Sequence, residues 1–332
     1  MLKIIFKIFL VIFALACVML IYFNIPVEKE NESAKLGVTF SKRYAEDIGL
    51  DWRVAYVAML DDLGAKKIRI PVYWDWVEPE EGKYDFSDLD WQMQEAEKRK
   101  AEIILAVGQK VPRWPECFIP EYLKKDDVKR KTELVEFVRV VVNHYKNSKA
   151  VKYWQIENEP FLKFGECPVL DVNLLDAEIA MARKTDPSRK IIVTDSGELS
   201  LWIKAISRAD IFGTTMYRTI YSAKYGGFYT YPIGPRFFQF KYWMNRLFVK
   251  QDNAFVIELQ AEPWIAGWTT NQSLDKQFES MNVQKLEANV SFARQVGFPE
   301  IYLWGVEWWY WLKVHQNHPE VWEAAKGMFR NQ

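Results

Sequence analysis

The stretch Val151–Pro160, V-K-Y-W-Q-I-E-N-E-P, starts as a strand and ends in charge. Val, Tyr, Trp and Ile favour extended backbone, and they form a short run bounded by polar residues. Glu157, Asn158 and Glu159 follow at once. Pro160 has no N–H and stops the pairing. A solvated strand end is the ordinary explanation of such a run. A second stretch argues for another. In Phe255–Trp264, F-V-I-E-L-Q-A-E-P-W, an apolar run again carries a carboxylate, Glu258, where it meets polar sequence. Two carboxylates on the ends of two strands are what glycosidic bond cleavage needs. One serves as general acid, and the other as nucleophile or base on the opposite face of the sugar ring.

Whether the two meet depends on the fold. Strands are expected at about Leu36–Phe40, Lys67–Val72, Ile103–Val107, Val151–Ile156, Lys190–Thr194, Ile211–Met216, Phe255–Leu259 and Ile301–Trp304. Helical spacing fills the gaps: Asp51–Leu63, Ser87–Arg99, Thr132–Lys146, Asp171–Lys184, Leu199–Ser207, Pro235–Phe248, Asn282–Gln295 and Pro319–Met328. Strand–helix alternation implies parallel βαβ units. Eight of them suit a single (β/α)8 TIM barrel, with an open doubly wound sheet as the alternative. No G-x-G-x-x-G or phosphate-loop pattern follows the first strand, which weighs against the open sheet.

The expected strand ends then fall on one rim, where such barrels carry their active sites. They read Tyr73-Trp74-Asp75-Trp76, Gly108 through Trp114, Glu157-Asn158-Glu159-Pro160, Asp195 through Glu198, Tyr217-Arg218, Glu258-Leu259-Gln260 and Trp304 through Trp308. Acidic, polar and aromatic groups recur there. Glu159 follows the fourth strand and Glu258 the seventh, so their side chains can face each other over a small barrel's mouth.

The whole chain has 332 residues and a formal net charge of zero, with 15 Trp, 16 Tyr and 21 Phe. Without a basic excess, nucleic acid is not an expected partner. Surplus Trp often lines clefts, because its N–H needs a partner and its flat face suits an apolar ligand face. At the N-terminus, Ile4–Phe23 is apolar apart from Lys7, and about 20 apolar residues span a bilayer as a helix. Lys3 and Lys7 precede the apolar core, while Glu28, Glu30 and Glu32 follow it. That bias places the remainder on the extracytoplasmic side. The expected organisation is a transmembrane signal-anchor over 1–24, a tether over 25–34 and a catalytic domain over 35–332. A cleaved signal peptide, giving a secreted protein, is the alternative.

These strand ends resemble the clan of (β/α)8 glycoside hydrolases with catalytic residues on strands four and seven. The cellulase-like family five and the β-galactosidase-like family forty-two are the nearest shapes. Asn158-Glu159-Pro160 matches the clan's Asn-Glu-Pro. The resemblance implies Glu159 as acid/base and Asn158 as a ligand of the sugar's 2-hydroxyl. It implies Glu258 as the strand-seven nucleophile, Arg69 and Tyr217 as the groups that hold it, and Trp304 as the platform under the reacting sugar. Trp76-Val77-Glu78-Pro79 with Gly82-x-Tyr84-Asp85-Phe86 is a further local likeness. Val306 through Trp309 and Gln260 through Trp264 match no subfamily, which leaves the sugar open. The resemblance also implies retention of configuration, with the two carboxyls about 5–5.5 Å apart.

Each neighbour has a plainer alternative. Glu157 is either a buried partner of Arg69 or a simple ion pair. Glu262 follows its strand by more residues than Glu258 does and is expected in the loop, on sugar or solvent. Trp74, Trp76, Trp114, Trp264, Trp304 and Trp308 are platform candidates, of which about half are core. Gln109, Lys110, Asp195 and Glu198 are candidate hydroxyl contacts or merely solvated. His144 is expected to be a packing residue. Three His and no His-Glu-x-x-His run point to no metal site, and no cofactor is expected. Cys117 and Cys167 follow strands three and four on one rim, so a disulfide and two free thiols both remain open.

The expected function is retaining hydrolysis of O-glycosidic bonds in an oligo- or polysaccharide, with β-linked bonds expected. A transglycosylase on the same site and a non-catalytic glycan-binding surface protein are the alternatives.

Overall fold

Eight parallel strands close into a barrel in the computed structural model, which describes residues 2–168 and 171–330. They are β1 (Lys35–Thr39), β2 (Lys67–Pro71), β3 (Glu102–Val107), β4 (Val151–Ile156), β5 (Ile191–Asp195), β6 (Ile211–Met216), β7 (Ala254–Gln260) and β8 (Glu300–Trp304). Each pairs with its neighbour in the chain, and β8 closes the ring on β1 from Lys35↔Glu300 to Thr39↔Trp304. This is the (β/α)8 barrel, and each strand lies within one residue of its expected bounds.

Alternation along the strands sorts the core into two parts. In β2, Ile68 and Ile70 point outward into the apolar layer beneath the helices, while Arg69 points in. In β4, Trp154 and Ile156 point outward and Tyr153 and Gln155 inward. The floor of the barrel is a small apolar cluster of Ile104, Ile192, Ile211, Phe255, Ile257 and Tyr302. The layer above it is polar: Arg69, Gln155, Thr194 and Thr214 are all fully buried. Buried polar groups persist only when hydrogen-bonded, so this layer commits the barrel mouth to a network.

Helices occupy the expected gaps. The one after β3 starts at Asp127 rather than Thr132, because Asp126 caps it by accepting from the Lys129 N–H. Its first turn, D-V-K-R-K, is polar and hid the start. The expected helix Leu199–Ser207 is reduced to Ile203–Ile206, and short helices Lys42–Asp47 and Trp74–Val77 were not expected; nor were three larger pieces. A hairpin, Thr219–Ser222 with Gly227–Thr230, follows β6; a helix, Leu274–Ser280, lies in the β7–β8 connection; and another, Val306–His315, follows β8. The tryptophan-rich Val306–His315 run has little one-sided periodicity, since Trp308, Trp309 and Trp311 are all buried.

Ahead of the barrel, Leu2–Phe23 is one helix. It is long and apolar enough to cross a membrane, with a mean hydropathy of 3.0, and its apolar window is not buried within the chain. From Glu30 the following segment is fastened to the barrel: Ser291 donates to Glu30, and the Asn31 N–H donates to the Arg294 carbonyl.

Candidate active site

Glu159 and Glu258 both line one cavity of about 640 Å³ at the C-terminal ends of the strands. Each reaches it through irregular backbone. Past β4 the chain leaves the sheet with positive φ at Glu157 (57°) and Glu159 (43°). Non-glycine residues rarely occupy this region, and they are held there by their surroundings. Here the Glu159 N–H donates to Thr194 Oγ1 and the Asn158 N–H to the Lys110 carbonyl. In β7 the register slips by one residue between Val256 and Glu258 against β6, and between Val256 and Leu259 against β8. Phe255 and Ile257 fill the floor, so strict alternation would send Glu258 outward. The bulge instead turns it into the mouth, and Leu259 returns to the outer layer.

Glu258 is held from two sides. Arg69 Nη1 donates to its Oε1 at 2.6 Å, and the Tyr217 hydroxyl donates to its Oε2 at 2.9 Å. Arg69 is fully buried, with Nε on Gln155 Oε1 and Nη2 on Asn158 Oδ1. One guanidinium thereby ties β2, β4 and β7 together. Glu159 accepts from the Thr215 hydroxyl at 3.1 Å. Burial first, then the charges of Glu258 and Glu116, push the Glu159 carboxyl well above the usual carboxylate range. One acid of the pair is thus biased towards its protonated form, while the other is fixed by a cation and a phenol.

Glu116, which sequence reading passed over, also lines the cavity. Burial pushes its carboxyl up to about 8, against the lowering influence of Lys110. Glu198 lines the cavity too, accepts the Tyr217 N–H, and is pushed by burial up to about 7. The loop that carries Glu116 is pinned by a disulfide between Cys117 and Cys167, with Cα atoms 5.2 Å apart. The placement of both Cys past neighbouring strands on one rim left this open, and the structure closes it.

Packing divides the other candidates, and Gln109, Lys110 and Asp195 are buried rather than solvated. Glu262 and Trp304 line the cavity, but Trp304 Nε1 donates to Glu262, and Glu262 is ion-paired with Arg113. Arg113 also pairs with Glu307 at 2.7 Å and lies over the Trp304 ring, 4.2 Å from its centroid. Trp114 and Trp264 line the mouth, each with its ring against Phe164. Trp308 does not reach the cavity: it is fully buried, and its Nε1 donates to Gln277. Gln109 is turned outward to Arg130, and Trp74 is packed on Phe137. Asn158 lies beneath the cavity, bound to Arg69. Trp76 borders a separate cavity with Lys42 and Asp75, and Lys110 donates to the carbonyls of Glu159 and Leu162. Asp195 accepts from the Ser196 N–H, and His144 stacks on Phe86.

Glu157 does not meet Arg69. Its oxygens accept the N–H groups of Gln109 and Lys110, and it pairs with the buried Glu178. Gly108 is required at this point, since a Cβ there would lie 2.5 Å from the Glu157 carboxyl carbon. Among the described residues no group of His, Cys, Asp and Glu is arranged to hold a metal ion.

Residues 53–169, about a third of the chain, match the glycoside hydrolase family 42 profile described as Beta-galactosidase. No curated protein matches the chain in sequence. Among solved structures, a β-galactosidase of the Antarctic haloarchaeon Halorubrum lacusprofundi superposes with a TM-score of 0.59 at 15% identity, over 89% of this chain and 57% of that one. An exo-β-1,4-mannosidase of Opitutaceae bacterium strain TAV5 gives 0.57 at 16%, over 82% and 51%. Xylanase 10B of Thermotoga petrophila gives 0.57 at 14%, over 90% and 94%. The chain thus spans somewhat over half the length of the first two. It is similar in fold to clan A (β/α)8 glycoside hydrolases, and over residues 53–169 it is similar in sequence to their β-galactosidase family.

Proposed function

We propose that the chain is a retaining glycoside hydrolase acting on an oligo- or polysaccharide, with Glu258 as nucleophile and Glu159 as acid/base. The observation that carries this is the division of labour between the two carboxyls. Arg69 and Tyr217 fix both oxygens of Glu258, while burial and neighbouring charge favour the proton on Glu159. In the first step Glu258 attacks the anomeric carbon, and the Glu159 proton passes to the leaving oxygen as the glycosidic C–O bond breaks. In the second, Glu159 takes a proton from water, which displaces Glu258 from the glycosyl-enzyme. Arg113 holds Glu262 and Trp304 as a rigid wall of the sugar subsite. The N-terminal helix is proposed to anchor residues 35–332 on the extracytoplasmic face, with 25–34 as connection.

A screen of aryl β-glycosides of glucose, galactose, mannose and xylose tests the reading. Turnover of at least one is expected, with Glu159→Gln lowering it by roughly 10²–10⁴-fold. Glu258→Gln should abolish it. Glycan binding without turnover of any glycoside would favour a binding protein, and turnover surviving both substitutions would remove the site assignment.

A further inference from the structure

The helix Pro235–Arg246, which follows the hairpin after β6, carries an apolar stripe in two halves. The first half is covered. Phe23, at the end of the N-terminal helix, packs edge-on against Phe237 at 5.3 Å and tilted against Phe240 at 5.6 Å, and Tyr22 also meets Phe240. Arg236 donates to the carbonyls of Ile25 and Pro26, and Asn24 donates to the Pro232 carbonyl. The second half has no cover. Trp243 lies against Phe240, one turn on, yet is 54% exposed, and Leu247 and Phe248 are 57% and 78% exposed. On a helix, positions 240, 243, 244 and 247 share one face.

A second exposed run joins this face. Leu199, Leu201 and Ile203, past β5, are all more than half exposed. Their loop is tied to the same helix: Asn245 Nδ2 donates to the Leu201 carbonyl and Lys241 Nζ to the Gly197 carbonyl. Leu199 also borders the catalytic cavity. Lys204 and Lys250 are exposed beside the patch, and Arg246 is exposed there too but paired with Asp252 at 3.1 Å. Two exposed apolar runs tied together and flanked by lysines are more apolar surface than an isolated domain ordinarily presents to water.

We infer that this face lies on the lipid bilayer, seating the barrel against the membrane beside its anchor. The inference rests on the N-terminal helix being membrane-inserted. Its last turn sits on the stripe, so the bilayer surface must pass there. Leu247 is seven residues beyond Phe240, about 10 Å along the helix. That is comparable to the headgroup layer, about 5–8 Å deep on each side. Trp243 is of the residue type that settles at this boundary. The flanking Lys204 and Lys250 meet lipid phosphates, which favours anionic lipid. Leu199 then places the mouth of the site close to the surface.

The test uses the full chain in phosphatidylcholine–phosphatidylglycerol vesicles carrying doxyl-labelled lipid. An environment-sensitive fluorophore is placed on the native Cys17, within the N-terminal helix and the one free cysteine among the described residues. In a Cys17→Ser background it is placed instead at Leu247→Cys, or at Val128→Cys, 79% exposed on the helix after β3. Blue-shifted, quenched emission at 17 and 247 but not at 128 is expected. The shift at 247 should shrink when phosphatidylglycerol is left out. Quenching at 17 with solvent-like emission at 247 overturns the docking while leaving the anchor. Solvent-like emission at 17 overturns both.

Discussion

Arg69 Nη1 lies 2.6 Å from Glu258 Oε1, in a place where neither side chain is more than 3% exposed. A buried ion pair contributes little net stability, but breaking one leaves an uncompensated charge. Arg69→Met is therefore expected to destabilise the barrel by about 3–5 kcal/mol, measured by urea unfolding. It should also lower kcat by on the order of 10²-fold through loss of placement of Glu258. Glu258→Gln/Arg69→Met should be more stable than Arg69→Met alone. If it is not, the pair is not what ties β2 to β7.

The pH profile follows from Glu159. Its folded pKa is raised, so Glu159, the proposed general acid, keeps its proton above the usual carboxylate range and loses it as pH rises through that raised value. kcat/KM should accordingly fall on the basic side. The Thr215 hydroxyl bonds to Glu159 and lowers its pKa. Thr215→Val should shift the basic limb to higher pH. An unchanged limb would mean that another group controls it.

Behind the site, Glu157 and Glu178 are both fully buried, and burial raises both carboxyls. Burial, then the charge of Glu157, raises the Glu178 carboxyl well above its ordinary value. A raised acid binds its proton more tightly folded than unfolded. Its stabilising contribution is full below the ordinary pKa of 4.5 and is lost as pH rises through the folded value. Unfolding free energy should therefore fall as pH rises from the ordinary 4.5 through the Glu157 value of about 7. Glu178→Gln should flatten the curve, as read by urea titrations at both pH values. A wild-type curve already flat would contradict the raised carboxyls.

The disulfide closes a separation of 50 residues and pins the loop that carries Trp114 and Glu116. Cys117→Ser with Cys167→Ser should cost about 2–4 kcal/mol of stability. KM should rise more than kcat falls, because the loop walls the cavity and does not hold Glu258. Equal effects on both would show that the loop also orders the catalytic pair.

The strands were legible because each is a short apolar run with a polar end, and barrel closure follows from eight of them in alternation. The Glu159–Glu258 juxtaposition was legible only through the fold. What positions them was not. The bulge that turns Glu258 inward has no signature in F-V-I-E-L-Q, where plain alternation gives the opposite face. The same polar residue types at strand ends were split by packing: Glu262 reaches the cavity already paired with Arg113, and Gln109 faces Arg130. Trp308 looked like a platform because it follows β8, but the helix Val306–His315 carries it into the core. Glu116 was hidden in a loop whose path depends on the disulfide.

The central claim is that Glu258 forms the covalent bond. Glu258→Gly with an activated aryl β-glycoside and sodium azide tests it most directly. The account predicts that azide restores aglycone release and that the product is the α-glycosyl azide, inverted because azide enters from the side vacated by Glu258. Azide rescue of Glu262→Gly instead, or a β-glycosyl azide from Glu258→Gly, would contradict it.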